Sequence, residues 1–143
     1  MYYFWYTWVN EKNVRINNLR LFFETKFYYF LGKKRFDSVS VLLDRYLKEK
    51  GETAKYFEYC FNYYYEINDY ERAIQYLVKL INRKAVSSKF ENWAINFFVE
   101  KNVIAQQYQI AAKNAMKLAN LENLSTNNRV KLLKILDYIK TKI

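Results

Sequence analysis

Apolar side chains recur along most of this chain at the spacing of one helix face. In "INDYERAIQYLVKL", which starts at Ile67, the positions Tyr70, Ala73, Ile74 and Leu77 fall on one side of a helix, and charged and amide side chains fill the other. The small Ala73 lets a second helix approach closely, so this segment predicts one member of a tightly packed helix pair. The same period predicts seven helices, near 20–31, 36–50, 53–67, 70–83, 88–101, 103–119 and 127–141.

The pattern repeats three times at a constant interval of 34 residues. The three segments are "KFYYFLGKKRFDSVSVLLDRYL" from Lys26, "CFNYYYEINDYERAIQYLVKLI" from Cys60 and "AINFFVEKNVIAQQYQIAAKNA" from Ala94. Each predicts a helix, a short polar turn near 32–35, 68–69 or 101–102, and a second helix. The third departs at Gln107, where a small residue is expected. The aligned columns are Tyr29 with Tyr63 and Phe97, Phe30 with Tyr64 and Phe98, Phe36 with Tyr70 and Ile104, Val39 with Ala73, Leu43 with Leu77 and Ala111, and Leu47 with Ile81 and Ala115.

The links between these helix pairs are short and carry helix-ending residues. Gly51 suits a helix C-cap, Ser87 or Ser88 suits the next N-cap, and Ser125 or Thr126 suits the N-cap of the last helix. A single helix pair cannot bury its apolar face alone. Consecutive pairs are therefore expected to stack.

A two-helix repeat with this interval around "NDYERAIQYL" resembles the tetratricopeptide repeat family, and "VLLDRYLKEKG" is similar to the second helix and loop of the related pentatricopeptide family. The resemblance covers residues 20–121 and implies an all-α, right-handed stack of three helical hairpins. Residues 1–19 would form an extended aromatic arm, and residues 122–143 a basic capping helix whose alternative role is to face RNA or lipid. Such motifs indicate a fold more than a function.

The composition favours helices and a positive charge. The 143 residues, enough for one domain, include no Pro and only two Gly, which leaves little material for tight hairpins or phosphate-binding loops. Lys and Arg number 24 against 14 Asp and Glu, a formal charge of +10 that favours partners such as RNA or anionic lipid. Abundant Lys, Asn, Ile, Tyr and Phe are typical of AT-rich genomes, which indicates an organellar or otherwise AT-biased origin and is compatible with the mitochondrial matrix.

Catalysis and metal binding are not expected. The chain has no His, so His-based triads and His metal ligands are missing. Its single Cys60 cannot form an internal disulfide or complete a zinc site, and it is expected to be a small buried thiol in a reducing, intracellular compartment. The sequence therefore predicts a protein that is not an enzyme and has no cofactor.

The N-terminal "MYYFWYTWV" is apolar but fits no repeat. It lacks a basic leader, is too short to span a bilayer and is followed by "NEKNVRINN", so it predicts neither a signal peptide nor a membrane helix. If this segment were exposed on a monomer, its apolar side chains would favour association of the protein. The segment is therefore expected to fold over the first helix pair or to be buried in a neighbouring protein. Its candidate protein-binding residues are Tyr2, Tyr3, Phe4, Trp5, Tyr6 and Trp8.

Lys55 with Lys89, and Asn62 with Asn96, form two pairs that are one repeat interval apart on predicted first helices. In tetratricopeptide relatives that grip the C-terminal carboxylate of a peptide, Lys and Asn at comparable places form the clamp. The resemblance therefore implies a peptide site at Lys55, Asn62 and Asn96. Glu58 places a negative charge on the same predicted helix, and AT-biased sequences are rich in Lys and Asn. The alternative is therefore that these residues form an ordinary surface.

Basic residues cluster at the predicted turns and on the last helix. Lys and Arg there can reach phosphates without reading bases, while exposed Tyr can stack on unpaired bases. The alternative is a solvated surface on a basic protein. The candidate RNA-binding residues are Lys33, Lys34, Arg35, Arg83, Lys84, Lys89, Lys131 and Lys134.

Three functions follow from these features. The leading hypothesis is a non-enzymatic helical-repeat subunit of an organellar ribonucleoprotein, such as the mitochondrial ribosome, contacting RNA phosphates and neighbouring proteins. A free adaptor that binds a peptide in its concave groove is the second. The third is a divergent relative of the seventh protein of the ribosomal small subunit, suggested by "GKKRFDSVSVLLDRYLKEKGET", although the Gly- and Pro-containing hairpin expected in that family is missing.

Overall fold

The described part of the chain is helical, which confirms the all-α prediction. The computed structural model describes residues 19–84 and 86–143, with side chains from Phe22 onward, and has no strand in those ranges. The chain divides into two compact units, residues 1–73 and 74–143, and their boundary falls inside a helix. The helices are α1 (Leu19–Gly32), α2 (Phe36–Lys50), α3 (Ala54–Glu66), α4 (Tyr70–Asn82), α5 (Ser88–Ile95), α6 (Lys101–Ile104), α7 (Tyr108–Ala119) and α8 (Thr126–Lys140), with a π-helical segment (Asn96–Glu100) between α5 and α6.

Most helix bounds agree with the sequence pattern. Helices α1 to α4 and α8 begin and end within one residue of the predicted positions. Gly51 follows α2 with a φ of 77°, a left-handed conformation that glycine adopts without steric cost. The side chains of Ser87 and Ser125 cap α5 and α8, as predicted. The aromatic arm predicted for residues 1–19 lies outside the described residues, except that Leu19 begins α1.

The turns inside the predicted helix pairs share one backbone geometry. Each contains a residue with positive φ: Lys34 at 59°, Asn68 at 63° and Gln106 at 60°. The amide that follows this residue donates to the carbonyl five positions earlier, which closes the first helix. These bonds join Arg35 to Phe30 at 2.9 Å, Asp69 to Tyr64 at 2.9 Å and Gln107 to Asn102 at 2.8 Å.

The third turn lies later than predicted. Instead of ending near 101–102, the first helix of the third pair continues from α5 through the π-helical segment into α6, which ends at Ile104. The interval from Asn68 to Gln106 is therefore about one helical turn longer than the interval from Lys34 to Asn68. The amide of Lys101 donates to the Asn96 carbonyl, the wider spacing by which a π-helix accommodates additional residues. The predicted turn at 101–102 and the predicted helix start at 103 are wrong.

This delay moves the later columns of the third repeat by four residues. Tyr108 begins the second helix, and Gln107 lies in the preceding turn, where no small residue is required. The pairings predicted for Ile104, Ala111 and Ala115 are therefore wrong. With the corrected register, the buried residues at the fourth position of the second helix are Val39, Ala73 and Ala111, each 0% exposed.

In the first unit, α1, α2 and α3 pack around aromatic side chains. The rings of the fully buried Phe27 and Tyr59 have centroids 4.9 Å apart, and the Tyr46 ring meets Tyr59 edge-on at 5.6 Å. Aromatic pairs prefer such tilted and edge geometries over face-to-face stacking. Cys60 is 2% exposed, which confirms that this thiol is buried. Among the described residues of this unit, the buried aromatic side chains are Phe27, Tyr46, Tyr56, Phe57, Tyr59 and Phe61.

In the second unit, polar contacts hold the helix over 88–104 against α7 and α8. The buried Glu91 carboxylate accepts hydrogen bonds from the Asn128 side chain at 2.8 Å and from the Ser125 amide at 3.3 Å. The Asn114 side chain on α7 donates to the Phe98 carbonyl in the π-helical segment at 2.9 Å. These bonds attach the start of α8 to α5 and the π-helical segment to α7.

Candidate functional site

Positive charge is concentrated in the second unit. Residues 74–143 contain twelve Lys and Arg against four Asp and Glu, a formal charge of +8, whereas residues 1–73 contain twelve against ten. Of the four carboxylates, Glu91 is buried and bonded to Asn128, and Glu100 lies 2.9 Å from the Lys131 ammonium. The acidic groups of this unit cannot neutralise its cations one for one. Its surface therefore attracts anions.

The candidate RNA-binding residues Lys33, Lys34 and Arg35 form the exposed turn between α1 and α2. The Arg35 guanidinium lies 5.4 Å from the centroid of the Phe30 ring, and the Lys33 ammonium lies 5.9 Å from that of Tyr29. Cations at this distance from a ring face are weakly attracted to it, by about 0.5–1 kcal/mol at exposed sites. The turn thus presents three basic groups beside two aromatic rings.

Arg83, Lys84 and Lys89 lie between α4 and α5 or in the first turn of α5, and all three are exposed. Arg83 and Lys84 follow the C-terminus of α4, where the helix dipole favours a cation. Lys89 instead lies in the first turn of α5, where the same dipole disfavours one. The helix dipole therefore explains a cation at Arg83 and at Lys84. It does not explain one at Lys89, which is the stronger candidate for anion binding.

Lys131 and Lys134 do not lie on a purely basic surface. Both line a cavity of about 350 Å³ whose other lining residues include Val103, Ile104 and Tyr138. The Ile104 side chain is 80% exposed there. These two lysines are therefore placed at the edge of an apolar groove rather than in an open cluster of cations.

A row of aromatic side chains along 90–101 was missed by the sequence analysis. The Trp93 ring stacks on Phe97 with centroids 5.4 Å apart and planes 13° apart, and Phe90 lies 5.4 Å from Trp93 on the same helix. The Lys101 ammonium lies 5.3 Å from the Phe97 centroid. Trp93 is 37% exposed, so part of this row is accessible at the surface. The sequence signal for this row was the spacing of three and four residues between Phe90, Trp93 and Phe97, which places them on one side of a helix.

In the predicted peptide clamp, Lys55 and Asn62 already contact other side chains of the same chain. The Lys55 ammonium lies 3.4 Å from carboxylate oxygens of both Glu24 and Glu58, and the Asn62 side chain donates to the Tyr28 hydroxyl at 3.1 Å. Asn96 is exposed in the π-helical segment of the other unit, as is Lys89 in α5. These contacts favour the alternative reading of Lys55 and Asn62 as structural surface residues.

Glu24 also holds the hydroxyl of the buried Tyr59, which donates to it at 3.0 Å. Burial, followed by the negative charge and hydrogen bond of Glu24, raises the pKa of Tyr59 well above its ordinary value. A neutral phenol hydrogen-bonded to a carboxylate and packed among rings is a structural arrangement. We therefore assign no binding role to it.

Comparisons with protein-family models, with curated proteins and with solved structures give no match to this chain. Within residues 19–84 and 86–143, no helix is long and apolar enough to cross a membrane. The same residues contain no cluster of His, Cys, Asp and Glu suited to a metal ion.

Proposed function

We propose that this protein is a non-enzymatic helical-repeat subunit of a larger assembly and binds RNA phosphates through its basic segments. The observation that carries the proposal is the excess of twelve Lys and Arg over four Asp and Glu in residues 74–143. Neutralising several phosphates releases counterions, which is the main source of sequence-independent affinity for nucleic acid. The proposed assembly is an organellar ribonucleoprotein such as the mitochondrial ribosome.

The repeat architecture is part of the proposal. Three turns of one geometry, followed by buried small or β-branched residues at Val39, Ala73 and Ala111, support helical hairpins of the tetratricopeptide kind. The N-cap side chains of Thr53, Ser87 and Ser125 each accept the amide three residues later, a shared helix start that supports α8 as the helix that caps the stack. We propose a right-handed stack of these hairpins.

Filter binding of a single-stranded RNA to a triple variant, Arg83→Gln, Lys84→Gln and Lys89→Gln, tests the RNA proposal. The expected result is weaker binding and a smaller slope of log affinity against log salt, by about 0.7 for each phosphate that is no longer neutralised on single-stranded RNA. A second variant, Lys33→Gln, Lys34→Gln and Arg35→Gln, tests the turn between α1 and α2 in the same way.

The matched control removes the same charge from α2, as Arg45→Gln, Lys48→Gln and Lys50→Gln, where Asp44 and Glu49 lie close in sequence. This control is expected to leave the salt slope nearly unchanged. Equal slopes for all three variants would show that net charge alone sets the affinity, and an unchanged slope in the first two would overturn the assigned phosphate-binding residues.

A further inference from the structure

The proposed binding of RNA does not involve the apolar groove of the second unit. We call it the α6–α8 groove. Its aliphatic wall is formed by Val103 and Ile104 at the end of α6 and by Ile135 on α8. Ile104 is 80% exposed and shares the lining of the groove with Val103 and Ile135.

The groove exists because the first helix of the third repeat is one turn longer than the sequence period predicts. The additional residues place α6, with Val103 and Ile104, beyond the length reached by the 13 residues of α3. Four helical residues extend a helix by about 6 Å. A helix ending near 101 would lack this wall, so the π-helical extension and the groove are one structural feature.

The rim of the groove has a net charge of +1, because Lys131 and Lys134 line it together with Glu100. Lys131 and Lys134 lie along one side of α8, and the carboxylate of Glu100 is already 2.9 Å from Lys131. The whole unit carries a formal charge of +8. We propose that the α6–α8 groove docks an acidic amphipathic helix of a partner protein, with its apolar stripe against Ile104 and Ile135 and its carboxylates facing Lys134 and Lys131.

The chemistry of the groove disfavours other occupants. Interfaces with nucleic acid are more polar and more positive than an aliphatic wall allows, and the Tyr138 ring already has the Lys142 ammonium 5.4 Å from its centroid. A second copy of the chain would bring the same positive unit against this one. Residues 1–18 carry Glu11 against Lys12 and Arg15, so they do not supply the negative charge either.

The test uses the full chain and two labelled synthetic peptides of about 16 residues, long enough to populate a helix. Both carry a leucine stripe at helical spacing; one has Glu on the flanking positions and the other has Lys. Fluorescence anisotropy is expected to show saturable binding of the Glu peptide and at least about tenfold weaker binding of the Lys peptide.

Two variants locate the binding. Ile104→Asp should weaken the Glu peptide at least about tenfold, and Lys134→Glu should weaken it and favour the Lys peptide. The matched control is Ile110→Asp, because Ile110 is also exposed in this unit, at 50%, but does not line the groove. It should leave peptide affinity unchanged. If Ile104→Asp alters the circular dichroism spectrum, and hence the fold, the result for Lys134→Glu is used instead.

The remaining outcomes overturn the proposal. Equal affinities for the two peptides would show that the protein does not distinguish their charge. An equal loss of affinity in Ile104→Asp and Ile110→Asp would show that the peptide does not bind in the groove. A loss of RNA binding in Ile104→Asp as large as the loss of peptide binding would assign the groove to RNA. Sedimentation that shows a wild-type dimer abolished by Ile104→Asp would assign it to a second copy.

Discussion

Removing the buried carboxylate of Glu91 tests how α8 is held in the second unit. Glu91 is 6% exposed, and one of its oxygens accepts hydrogen bonds from the Asn128 side chain at 2.8 Å and the Ser125 amide at 3.3 Å. Glu91→Ala leaves these donors unsatisfied, one of them on a residue that is 5% exposed. A buried donor without a partner costs about 1–3 kcal/mol, so we expect a loss of about 2–4 kcal/mol.

The milder substitution Glu91→Gln keeps an acceptor oxygen but removes the charge beside the first turn of α8. We expect it to cost about 0.3–1 kcal/mol, the usual value of a negative charge at a helix N-terminus. Replacing both partners by apolar residues, Glu91→Met with Asn128→Leu, should cost less than the sum of the two single changes, because the double variant removes both members of the side-chain pair and leaves only the Ser125 amide without its acceptor.

Urea unfolding followed by far-ultraviolet circular dichroism measures these free energies of unfolding. The control is Glu122→Ala, an exposed carboxylate in the same unit, which should change stability by less than about 0.5 kcal/mol. If Glu91→Ala were as mild as this control, the buried network would not hold α8. Strict additivity in the double variant would also refute the coupling between Glu91 and Asn128.

Two further predictions concern buried side chains of α4 and α3. Ala73→Leu should destabilise by about 1–3 kcal/mol through overpacking, because Ala73 is 0% exposed, whereas Gln75→Leu on the exposed side of α4 should be close to neutral in the same urea assay. Because the pKa of Tyr59 is raised on folding, its stabilisation is fully present below pH 10 and is lost above it, where the unfolded chain releases its proton first. The difference in unfolding free energy between wild type and Tyr59→Phe should therefore shrink by about 1.4 kcal/mol per pH unit above 10, and a constant difference would contradict the raised pKa.

The sequence alone determined the features that depend on neighbouring residues. Helix bounds, the glycine after α2 and the serine caps of α5 and α8 follow from side-chain periodicity and from bonds spanning a few residues, so they could be predicted closely. The charge excess and the absence of His are properties of composition. The buried position of Cys60 followed because it lies on an apolar helix face.

Tertiary structure decided where the third turn falls and what the C-terminal lysines face. Lys101 and Asn102 have the polarity of a turn, yet the helix continues through them while Phe98 and Val99 are buried and Asn114, on another helix, bonds the Phe98 carbonyl. Likewise, Glu91 meets Asn128 across 37 positions of sequence. Periodicity reports only which side of a helix is apolar. Which distant side chains meet across that side depends on packing, and this packing produced both the Glu91 network and the α6–α8 groove.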